Sequence, residues 1–205
     1  MTLKNKLALK RVFDLIFAIV ALIIWSLPMF FIGALILLID KKLPIFAQKR
    51  VGQHGALFTM YKFRTMRHHK SKNTITTKND SRITPLGGWL RRHKLDELPE
   101  LLNILWGDMS FVGPRPDVPG YADQLRGENA QILLLKPALT GVATLKYYDE
   151  ETILAAQNHA KIYNDTVIYP EKTRLNLWYF HHFSVGLDVK IIADTIFKTK
   201  LSPKP

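Results

Sequence analysis

Residues Leu15 to Ile39, LIFAIVALIIWSLPMFFIGALILLI, form an uncharged apolar run near the start of the chain. At about 25 residues the run is long enough to cross a bilayer with some tilt, so a simple transmembrane helix is one interpretation. A secretory signal is another, but the run is too long for one and no small-residue cleavage site follows it. Length and lack of charge therefore predict a membrane-embedded helix.

Ser26, Leu27 and Pro28 divide this run into two arms of eleven residues. Each arm, at about 1.5 Å per residue, reaches about 16 Å, which is near half the hydrocarbon thickness. Pro28 removes a helix hydrogen bond, and Ser26 can satisfy a freed carbonyl, so a sharp bend there need not leave backbone groups unpaired in lipid. We therefore expect a re-entrant helix-break-helix, with its kink at Ser26 and Pro28.

Basic residues lie on both sides of the apolar run: Lys4, Lys6, Lys10 and Arg11 before it, and Lys41, Lys42, Lys49 and Arg50 after it. Because positively charged flanks tend to remain in the cytoplasm, both ends are expected on that side of the membrane. The flanks therefore also favour a re-entrant segment, which leaves the rest of the chain on the cytoplasmic face.

The 205-residue chain has a net charge of +12, and the stretch from Lys41 to Lys94 accounts for all of it, since the rest of the chain sums to about zero. That stretch contains fourteen Lys or Arg and one acid, Asp80. Such a patch is expected to face anionic lipid headgroups, a nucleotide diphosphate or a nucleic acid. Nucleic acid is disfavoured because the patch is poor in stacking aromatics and adjoins a membrane segment. The absence of cysteine excludes disulfides and thiolate sites.

Short elements are predicted after the membrane segment. Ile45 to Lys49 and Leu57 to Lys62 are apolar-rich runs separated by Gly52-Gln53-His54-Gly55, a pattern typical of a β-hairpin. Arg67 to Thr84 is polar, basic and aperiodic, and we interpret it as a loop near lipid headgroups. Thr84-Pro85 then predicts the start of a helix.

The stretch from Leu95 to Pro116, LDELPELLNILWGDMSFVGPRP, is the candidate catalytic centre. Asp96 and Glu97 precede Pro99, which a first helical turn tolerates, and leucines follow at helical spacing. The pattern places the acidic pair at a helix N-terminus. The helix dipole there favours ionised carboxylates, the form that a nucleophile or a ligand of a hard divalent cation requires.

Arg115 lies between Pro114 and Pro116, so its backbone is stiff and its guanidinium suits a bidentate grip on phosphate. Each of these residues also has a simpler interpretation. Asp96 alone fits an N-cap, Glu97 a solvated first-turn acid and Arg115 a surface loop residue. Their combination within 22 residues favours a site.

This stretch, the upstream PIFAQKRVGQHGALFTMYKFRTM (Pro44 to Met66) and the N-terminal membrane segment together resemble the bacterial sugar transferases that act on polyprenyl phosphate. These are the small monotopic phosphoglycosyl transferases. The resemblance is strong from about Lys10 to Pro116 and weak beyond. It implies transfer of a phospho-sugar from a UDP-sugar to undecaprenyl phosphate, with Mg²⁺ as cofactor and release of UMP, to initiate a bacterial surface glycoconjugate.

The resemblance also implies roles for individual residues. Asp96 is the expected nucleophile, forming a covalent aspartyl phospho-sugar, and Glu97 the expected Mg²⁺ ligand with help from Asp96. Lys62, Arg91 and Arg115 are expected to bind substrate phosphates, although any one of them could be an ordinary solvated charge. The implied location is the bacterial inner membrane, and a homodimer is compatible with the resemblance.

The sequence departs from the family pattern in two places. A leucine separates Ser26 and Pro28, where family members have a Ser-Pro pair. Pro137 to Gly141 resembles the family's Pro-Gly-x-Thr-Gly turn, but the following Val142 to Thr152, VATLKYYDEET, lacks the Trp and Gly-Arg element of many relatives. Lys146 is the substitute we assign to the missing phosphate-binding arginine, and the role of this segment is left open.

We therefore expect an α+β protein with a re-entrant membrane segment over residues 1–42 and a small, mainly helical catalytic domain over residues 43–205. A short β-hairpin and interfacial amphipathic helices belong to that domain. Two other functions remain open at this point: a membrane-bound nucleotide-sugar hydrolase with the same Asp and metal, and a non-catalytic, basic, lipid-binding adaptor whose Asp96 is only a cap.

Overall fold

The computed structural model describes residues 2–67 and 80–197, so residues 68–79 of the expected headgroup loop lie outside it. The described chain is mainly helical with two pairs of short strands, an α+β architecture as expected. The helices are α1 (Leu3–Leu35), α2 (Pro85–Arg92), α3 (Glu100–Trp106), α4 (Val142–Lys146), α5 (Glu150–Ala155), α6 (Ala160–Tyr163), α7 (Tyr169–His182) and α8 (Val185–Phe197). The strands are β1 (Ile45–Val51), β2 (Leu57–Phe63), β3 (Ser110–Val112) and β4 (Ala138–Thr140).

The N-terminal helix α1 continues beyond Leu35 as a π-helical segment, Ile36–Asp40. Pro28 lies inside the helix, and Ser26 Oγ donates a hydrogen bond to the Ile23 carbonyl at 2.9 Å. Pro28 frees the carbonyl four residues before it, that of Ile24, so the hydrogen bond of Ser26 to Ile23 is not the expected capping of the freed carbonyl. The secondary structure is continuous from Ser26 to Pro28, so the expected division into two separate helices is not seen either.

Two parts of α1 pack against the rest of the protein, one on each side of Ser26. Ala18 belongs to one buried cluster with Ile104, and Ile32 and Ile36 belong to another with Phe63. Between these parts, residues 23–27 are all exposed. Five consecutive residues exceed one helical turn, so every face of the helix is uncovered there.

The exposure of its apolar side chains distinguishes α1 from the core helix of a soluble domain. Together with its π-helical extension it is long and apolar enough to cross a membrane, and only 11% of its most apolar 18-residue window is buried. Exposed apolar side chains on this scale require a partner, and lipid is the partner that the composition suits.

Buried polar contacts fix the first half of α1 to the domain. Lys10 Nζ lies 2.5 Å from Asp188 Oδ2 in α8, and the Tyr179 hydroxyl in α7 donates to Asp188 Oδ1 at 2.5 Å. We call Lys10, Tyr179 and Asp188 the anchor network. Nearby, Asp14 Oδ1 accepts a hydrogen bond from Ser110 Oγ of β3 at 3.0 Å.

The predicted hairpin is present, and its first strand extends two residues further than expected. β1 and β2 pair in antiparallel register, with Phe46 opposite Lys62. The connecting turn contains His54 (φ 58°) and Gly55 (φ 77°), left-handed conformations that favour glycine and suit a tight reversal.

The helix start at Thr84-Pro85 is confirmed. Thr84 caps α2 by accepting a hydrogen bond from the Gly87 N–H at 3.0 Å. Gly87 lies against the hairpin's exit: a Cβ there would come within 2.1 Å of the Thr65 carbonyl oxygen. This close approach brings the end of the hairpin next to the helix that leads into the acidic pair.

The C-terminal half of the chain packs against the stretch from Leu95 to Pro116. β3 and β4 form a short parallel pair, with Ser110 opposite Ala138 and Val112 opposite Thr140. Val112 lies in a core with Leu175 of α7. Since Arg115 follows three residues after the end of β3 at Val112, this core fixes the position of the loop that carries Arg115.

Candidate active site

Asp96 and Glu97 lie in a 3₁₀ turn, Leu95–Glu97, between α2 and α3. The turn ends three residues before Glu100, where α3 begins, so the predicted placement next to a helix N-terminus agrees with the structure. Asp96 is 6% exposed, and the Glu97 side chain is 12% exposed. Two adjacent carboxylates are thus held in a nearly dry environment.

Glu97 is surrounded by cations. Its Oε1 lies 2.8 Å from Lys62 Nζ of β2 and accepts a hydrogen bond from Arg115 Nη2 at 2.6 Å. Burial opposes ionisation of Glu97, but Arg115 and Lys62 outweigh it and hold the pKa of this carboxyl well below its usual range. Glu97 is therefore ionised at neutral pH.

Glu100 shares Lys62 with Glu97. Lys62 Nζ lies 3.1 Å from Glu100 Oε1, and Glu100 is 2% exposed. Burial raises the pKa of Glu100 to about 7, with Lys62 opposing the shift and Glu97 adding to it. Burial also opposes the charge on Lys62, but the two carboxyls outweigh it and raise its pKa. We call Lys62, Glu97, Glu100 and Arg115 the active-site cluster.

Asp96 differs from its neighbour because one of its oxygens is left without a partner. Its buried Oδ1 makes no hydrogen bond within residues 2–67 and 80–197. Burial raises the pKa of Asp96, Glu97 adds to the shift, and Lys62, Arg91 and Lys94 oppose it. A buried polar atom without a partner is costly, and such atoms commonly serve a ligand or a reaction.

A buried asparagine fixes the hairpin that carries Lys62. The Asn103 side chain in α3 accepts a hydrogen bond from the Tyr61 N–H at 3.1 Å and donates one to the Thr59 carbonyl at 2.7 Å. Because Tyr61 directly precedes Lys62, these bonds set the position of the lysine relative to α3. Hydrogen bonds from one side chain of α3 to the backbone of β2 thus hold together the elements that carry Glu100 and Lys62.

Arg115 joins the cluster to solvent. Its side chain is 38% exposed, and its pKa is raised, chiefly by Glu97. The surrounding loop is held by Arg50, whose Nη1 donates to the Pro116 carbonyl at 3.2 Å. A guanidinium that contacts a buried carboxylate and also faces water can pass from that carboxylate to an incoming anion.

Two further cations lie close enough to influence Asp96. Arg91, in the last turn of α2, forms an ion pair with Glu151 of α5. Lys94 lies with its ammonium 5.3 Å from the centre of the Tyr148 ring. The structure thus brings Arg91 near the acidic pair, as the sequence predicts, and pairs it with a carboxylate from the segment that departs from the family pattern.

The structure does not bring Lys146 into the active-site cluster. Its Nζ lies 2.6 Å from Glu171 Oε1 in α7, and its side chain is 46% exposed. Its described hydrogen bond and ion pair are both with that glutamate. Phosphate binding by Lys146 stays a prediction that this geometry does not support.

The donor set fits a divalent cation that arrives with its substrate. No group of three or more His, Asp or Glu side chains able to hold a metal occurs in the described ranges, 2–67 and 80–197. Asp96 offers a buried oxygen without a hydrogen bond, and Glu97 an adjacent ionised carboxylate. Mg²⁺ is usually bound through one or two carboxylates plus substrate phosphates, which is what this pair can supply.

A family model described as bacterial sugar transferase matches residues 5–201, nearly the whole chain. The chain belongs to the bacterial sugar transferase family. It is therefore a transferase, and the family resemblance drawn from Leu95 to Pro116 and from Pro44 to Met66 is confirmed.

Curated relatives agree with this family assignment. An uncharacterized sugar transferase of Bacillus subtilis, EpsL, is 34% identical over 95% of this chain and 88% of its own length. The exopolysaccharide production protein PSS of Rhizobium leguminosarum is 36% identical over 93% of this chain and 94% of its own. The UDP-glucose:undecaprenyl-phosphate glucose-1-phosphate transferase of Escherichia coli is 35% identical over 93% of this chain, which spans only 40% of that relative.

Sequence reasoning missed two residues of this family member's site. Glu100 lies three positions after Glu97, the spacing at which side chains share a helix face, but it stands among leucines and reads as a solvated acid. Asn103 gives a signal only as a polar residue among apolar ones, Leu102 and Ile104. Glu100 could have been found from its spacing; the hydrogen bonds of Asn103 to the hairpin could not.

Proposed function

We propose that this family member transfers a phospho-sugar from a UDP-sugar to undecaprenyl phosphate and releases UMP, with Asp96 as the nucleophile. The observation that carries the proposal is the buried Asp96 Oδ1, which lacks a hydrogen bond in the described chain and lies beside the active-site cluster with its cations Lys62 and Arg115. The substrate classes come from relatives whose names include an undecaprenyl-phosphate acceptor and, for the Escherichia coli protein, a UDP-glucose donor.

In the first step, Asp96 attacks the phosphorus that bears the sugar. A bond forms between that phosphorus and a carboxylate oxygen of Asp96, and the bond to the bridging oxygen of the diphosphate breaks. UMP leaves with that oxygen and its electron pair, so no proton is required. Lys62 and Arg115 stabilise the negative charge that develops on the phosphoryl oxygens.

In the second step, an oxygen of undecaprenyl phosphate attacks the same phosphorus and the bond to Asp96 breaks. The carboxylate is regenerated, and a polyprenyl diphosphate sugar is released into the membrane. A covalent enzyme intermediate suits this pair of substrates, because a water-soluble nucleotide and a lipid can then use the same cations in turn.

The carboxylates have different tasks in this scheme. Glu97 is ionised, and it orients Lys62 and Arg115 through its Oε1. Mg²⁺, held by Glu97 and Asp96 together with the donor phosphates, would neutralise charge on the diphosphate. Arg91, with its guanidinium now on Glu151, is the third phosphate-binding cation in the proposal.

We further propose that α1 enters the bacterial inner membrane as a re-entrant helix, with the catalytic domain on the cytoplasmic face. The uncovered turn at residues 23–27, between two parts of α1 that both pack on the domain, supports this arrangement. The basic flanks of the helix favour a common cytoplasmic side for both of its ends. Anionic lipids are the expected partners of those flanks.

The test of the reaction is product analysis with purified protein in nanodiscs. UMP release is measured across a panel of UDP-sugars with Mg²⁺, with and without undecaprenyl phosphate. The proposal predicts sustained UMP release and a lipid-linked sugar only when the acceptor is present. Sustained release without the acceptor would indicate a hydrolase, and silence across the panel from folded, membrane-inserted protein would contradict a UDP-sugar donor.

The topology can be tested with single cysteines, because the chain has none of its own. Lys4→Cys and Lys42→Cys place one thiol in the first turn of α1 and one after its π-helical extension, both at exposed positions. With a membrane-impermeant maleimide, the re-entrant arrangement predicts that both react in inverted vesicles and neither reacts in intact spheroplasts. Reaction of one of them in spheroplasts would show that α1 spans the membrane.

A further inference from the structure

Residues 147–151, YYDEE, run from the end of α4 into the first turn of α5 and lie against basic side chains of other elements, two of which precede the acidic pair in sequence. We call this segment the acidic strap. Glu151 forms an ion pair with Arg91, and Glu150 Oε2 lies 2.6 Å from Lys172 Nζ of α7. Two successive carboxylates thus hold two basic side chains from different helices.

The two tyrosines of the acidic strap meet the same group of cations. Lys94 Nζ lies 5.3 Å from the centre of the Tyr148 ring, and Lys172 Nζ lies 5.9 Å from that of Tyr147. A cation over an aromatic face at this distance is attracted to the ring. The strap therefore covers basic side chains with two of its three acidic residues and with both of its tyrosines.

Two of the cations that the strap covers, Arg91 and Lys94, interact electrostatically with Asp96. Burial raises the pKa of Asp96, and Arg91 and Lys94 are among the groups that oppose this shift. Glu97 is the main group that raises the pKa of Arg115, and Glu150 adds to it more weakly. The strap and the acidic pair thus interact with some of the same basic side chains.

We propose that the acidic strap competes with the phosphates of the donor: in the donor-free enzyme Glu151 and Glu150 occupy cations that the diphosphate takes over on binding. This inference rests on the proposed function. The diphosphate of a UDP-sugar carries as much negative charge as the two carboxylates, but it holds that charge on two linked phosphoryl groups that can contact several cations and Mg²⁺ at once, so it displaces them. The displaced pairs are weak because they are partly open to water, with the Glu151 side chain 45% exposed and that of Glu150 26% exposed.

The strap therefore sets the affinity for the donor without taking part in the chemistry. It also explains how the chain can lack the family's Gly-Arg element after Gly141. The strap contributes carboxylates and tyrosines in that region, and Lys172 of α7 is the cation that stands there in addition to the family-implied Arg91.

The experiment measures binding of UDP and of inorganic diphosphate by calorimetry, in the presence of Mg²⁺, to the full chain in detergent. Wild type is compared with Glu150→Gln, Glu151→Gln and the double variant. Glu128→Gln is the matched control, because Glu128 is an exposed glutamate whose described partner is His181. We expect each strap variant to bind both compounds about threefold to fivefold more tightly and the double variant about tenfold more tightly, with the control unchanged.

Several results would overturn the proposal. Unchanged affinity in both strap variants would show that the ion pairs are only surface contacts. Weaker binding would show that the glutamates position the cations for phosphate and do not compete with it. A gain for UDP without a gain for diphosphate would show that the strap acts on the nucleoside. Absence of UDP binding by wild type would contradict the proposed function as well, whereas normal wild-type binding with unresponsive variants would overturn the strap alone.

Discussion

The active-site cluster and the anchor network are both built from buried charges, yet only one of them is closed. In the anchor network, both oxygens of Asp188 are used, one by Lys10 and one by Tyr179. Beside the active-site cluster, Asp96 keeps a buried oxygen that no described residue satisfies, and Arg115 reaches solvent. A buried ion pair by itself therefore does not indicate a functional site. A cluster of buried charges does when a neighbouring polar atom lacks a hydrogen bond and one of its side chains reaches water.

Their electrostatics differ in the same way. In the anchor network, burial raises the pKa of Asp188, and Lys10 and Tyr179 oppose the shift. In the active-site cluster, two glutamates three residues apart shift in opposite directions: Glu97 well below its usual pKa and Glu100 up to about 7. Neighbouring carboxyls whose pKa values are driven apart are typical of sites that handle charge.

The substitution Asp96→Asn should show the largest difference between the roles of the two regions. We expect UMP release to fall by more than about a thousandfold, because the amide is neutral and a poor nucleophile, while the melting temperature changes little. Steady-state assays and thermal unfolding in detergent measure both. Asp123→Asn, in the partly exposed 3₁₀ turn Ala122–Gln124, is the control and should keep full activity. Activity retained in Asp96→Asn would remove the basis of the comparison.

The opposite behaviour is expected for Asp188→Asn. Removal of one charge from a buried pair leaves Lys10 uncompensated and costs about 3–5 kcal/mol of folding free energy. For a chain of this size the melting temperature should fall by about 10 °C. The activity of the protein that remains folded should change less than about twofold, since Asp188 does not contact the active-site cluster. A selective loss of kcat with normal stability would show that the anchor network takes part in catalysis.

Glu97→Gln sharpens the comparison within the active-site cluster. Glutamine keeps the shape but removes the charge that orients Lys62 and Arg115, so we expect kcat to fall by about a hundredfold and the Mg²⁺ concentration for half-maximal rate to rise. A magnesium titration of wild type and variant measures both effects. An unchanged magnesium dependence would exclude Glu97 as a ligand.

The smallest effect is the pH dependence that Glu100 imposes. Its pKa of about 7 means that it is neutral below that pH and gains a negative charge next to Lys62 above it. Since that charge weakens attraction for a diphosphate, we expect the donor KM to rise about threefold from about pH 6 to about pH 8. In Glu100→Gln the KM should be nearly flat; a parallel rise in the variant would assign the effect to another group.

The same group links pH to stability. A carboxyl whose pKa is raised by folding stabilises the folded protein at low pH, and this contribution is lost as the pH rises towards about 7. The melting temperature of wild type should therefore fall, relative to that of Glu100→Gln, as the pH rises from about 4 to about 7. The magnitude grows with the pKa shift, at about 1.4 kcal/mol per unit.

Local patterns in the sequence predicted much of the fold. The hairpin followed from two apolar-rich runs around Gly52 to Gly55, and the start of α2 followed from Thr84-Pro85, because each depends on neighbouring residues alone. The parallel pairing of β3 with β4 was not predicted, because both strands have three residues and their register depends on long-range packing.

The candidate site shows the same division. Asp96 and Glu97 could be located from their position before Pro99, and Arg115 from its flanking prolines. Lys62 was assigned to the site only through the family resemblance, and its ion pair with Glu97, 35 positions away, was not predicted. The pair of Lys10 with Asp188 in the anchor network, 178 positions apart, was not predicted either. Charge pairs at such separations arise only when the chain has folded, and a sequence of one chain carries no local signal for them.

The most direct test of the account is to look for the phospho-sugar on Asp96. Purified protein in nanodiscs is incubated with a UDP-sugar that supports turnover, without undecaprenyl phosphate, then quenched and analysed by intact mass and peptide mapping. The account predicts about one equivalent of UMP per active enzyme and a phospho-sugar adduct on the peptide that contains Asp96, which disappears when the acceptor is added. Turnover with acceptor but neither UMP burst nor adduct without it would show direct transfer between substrates and contradict Asp96 as the nucleophile.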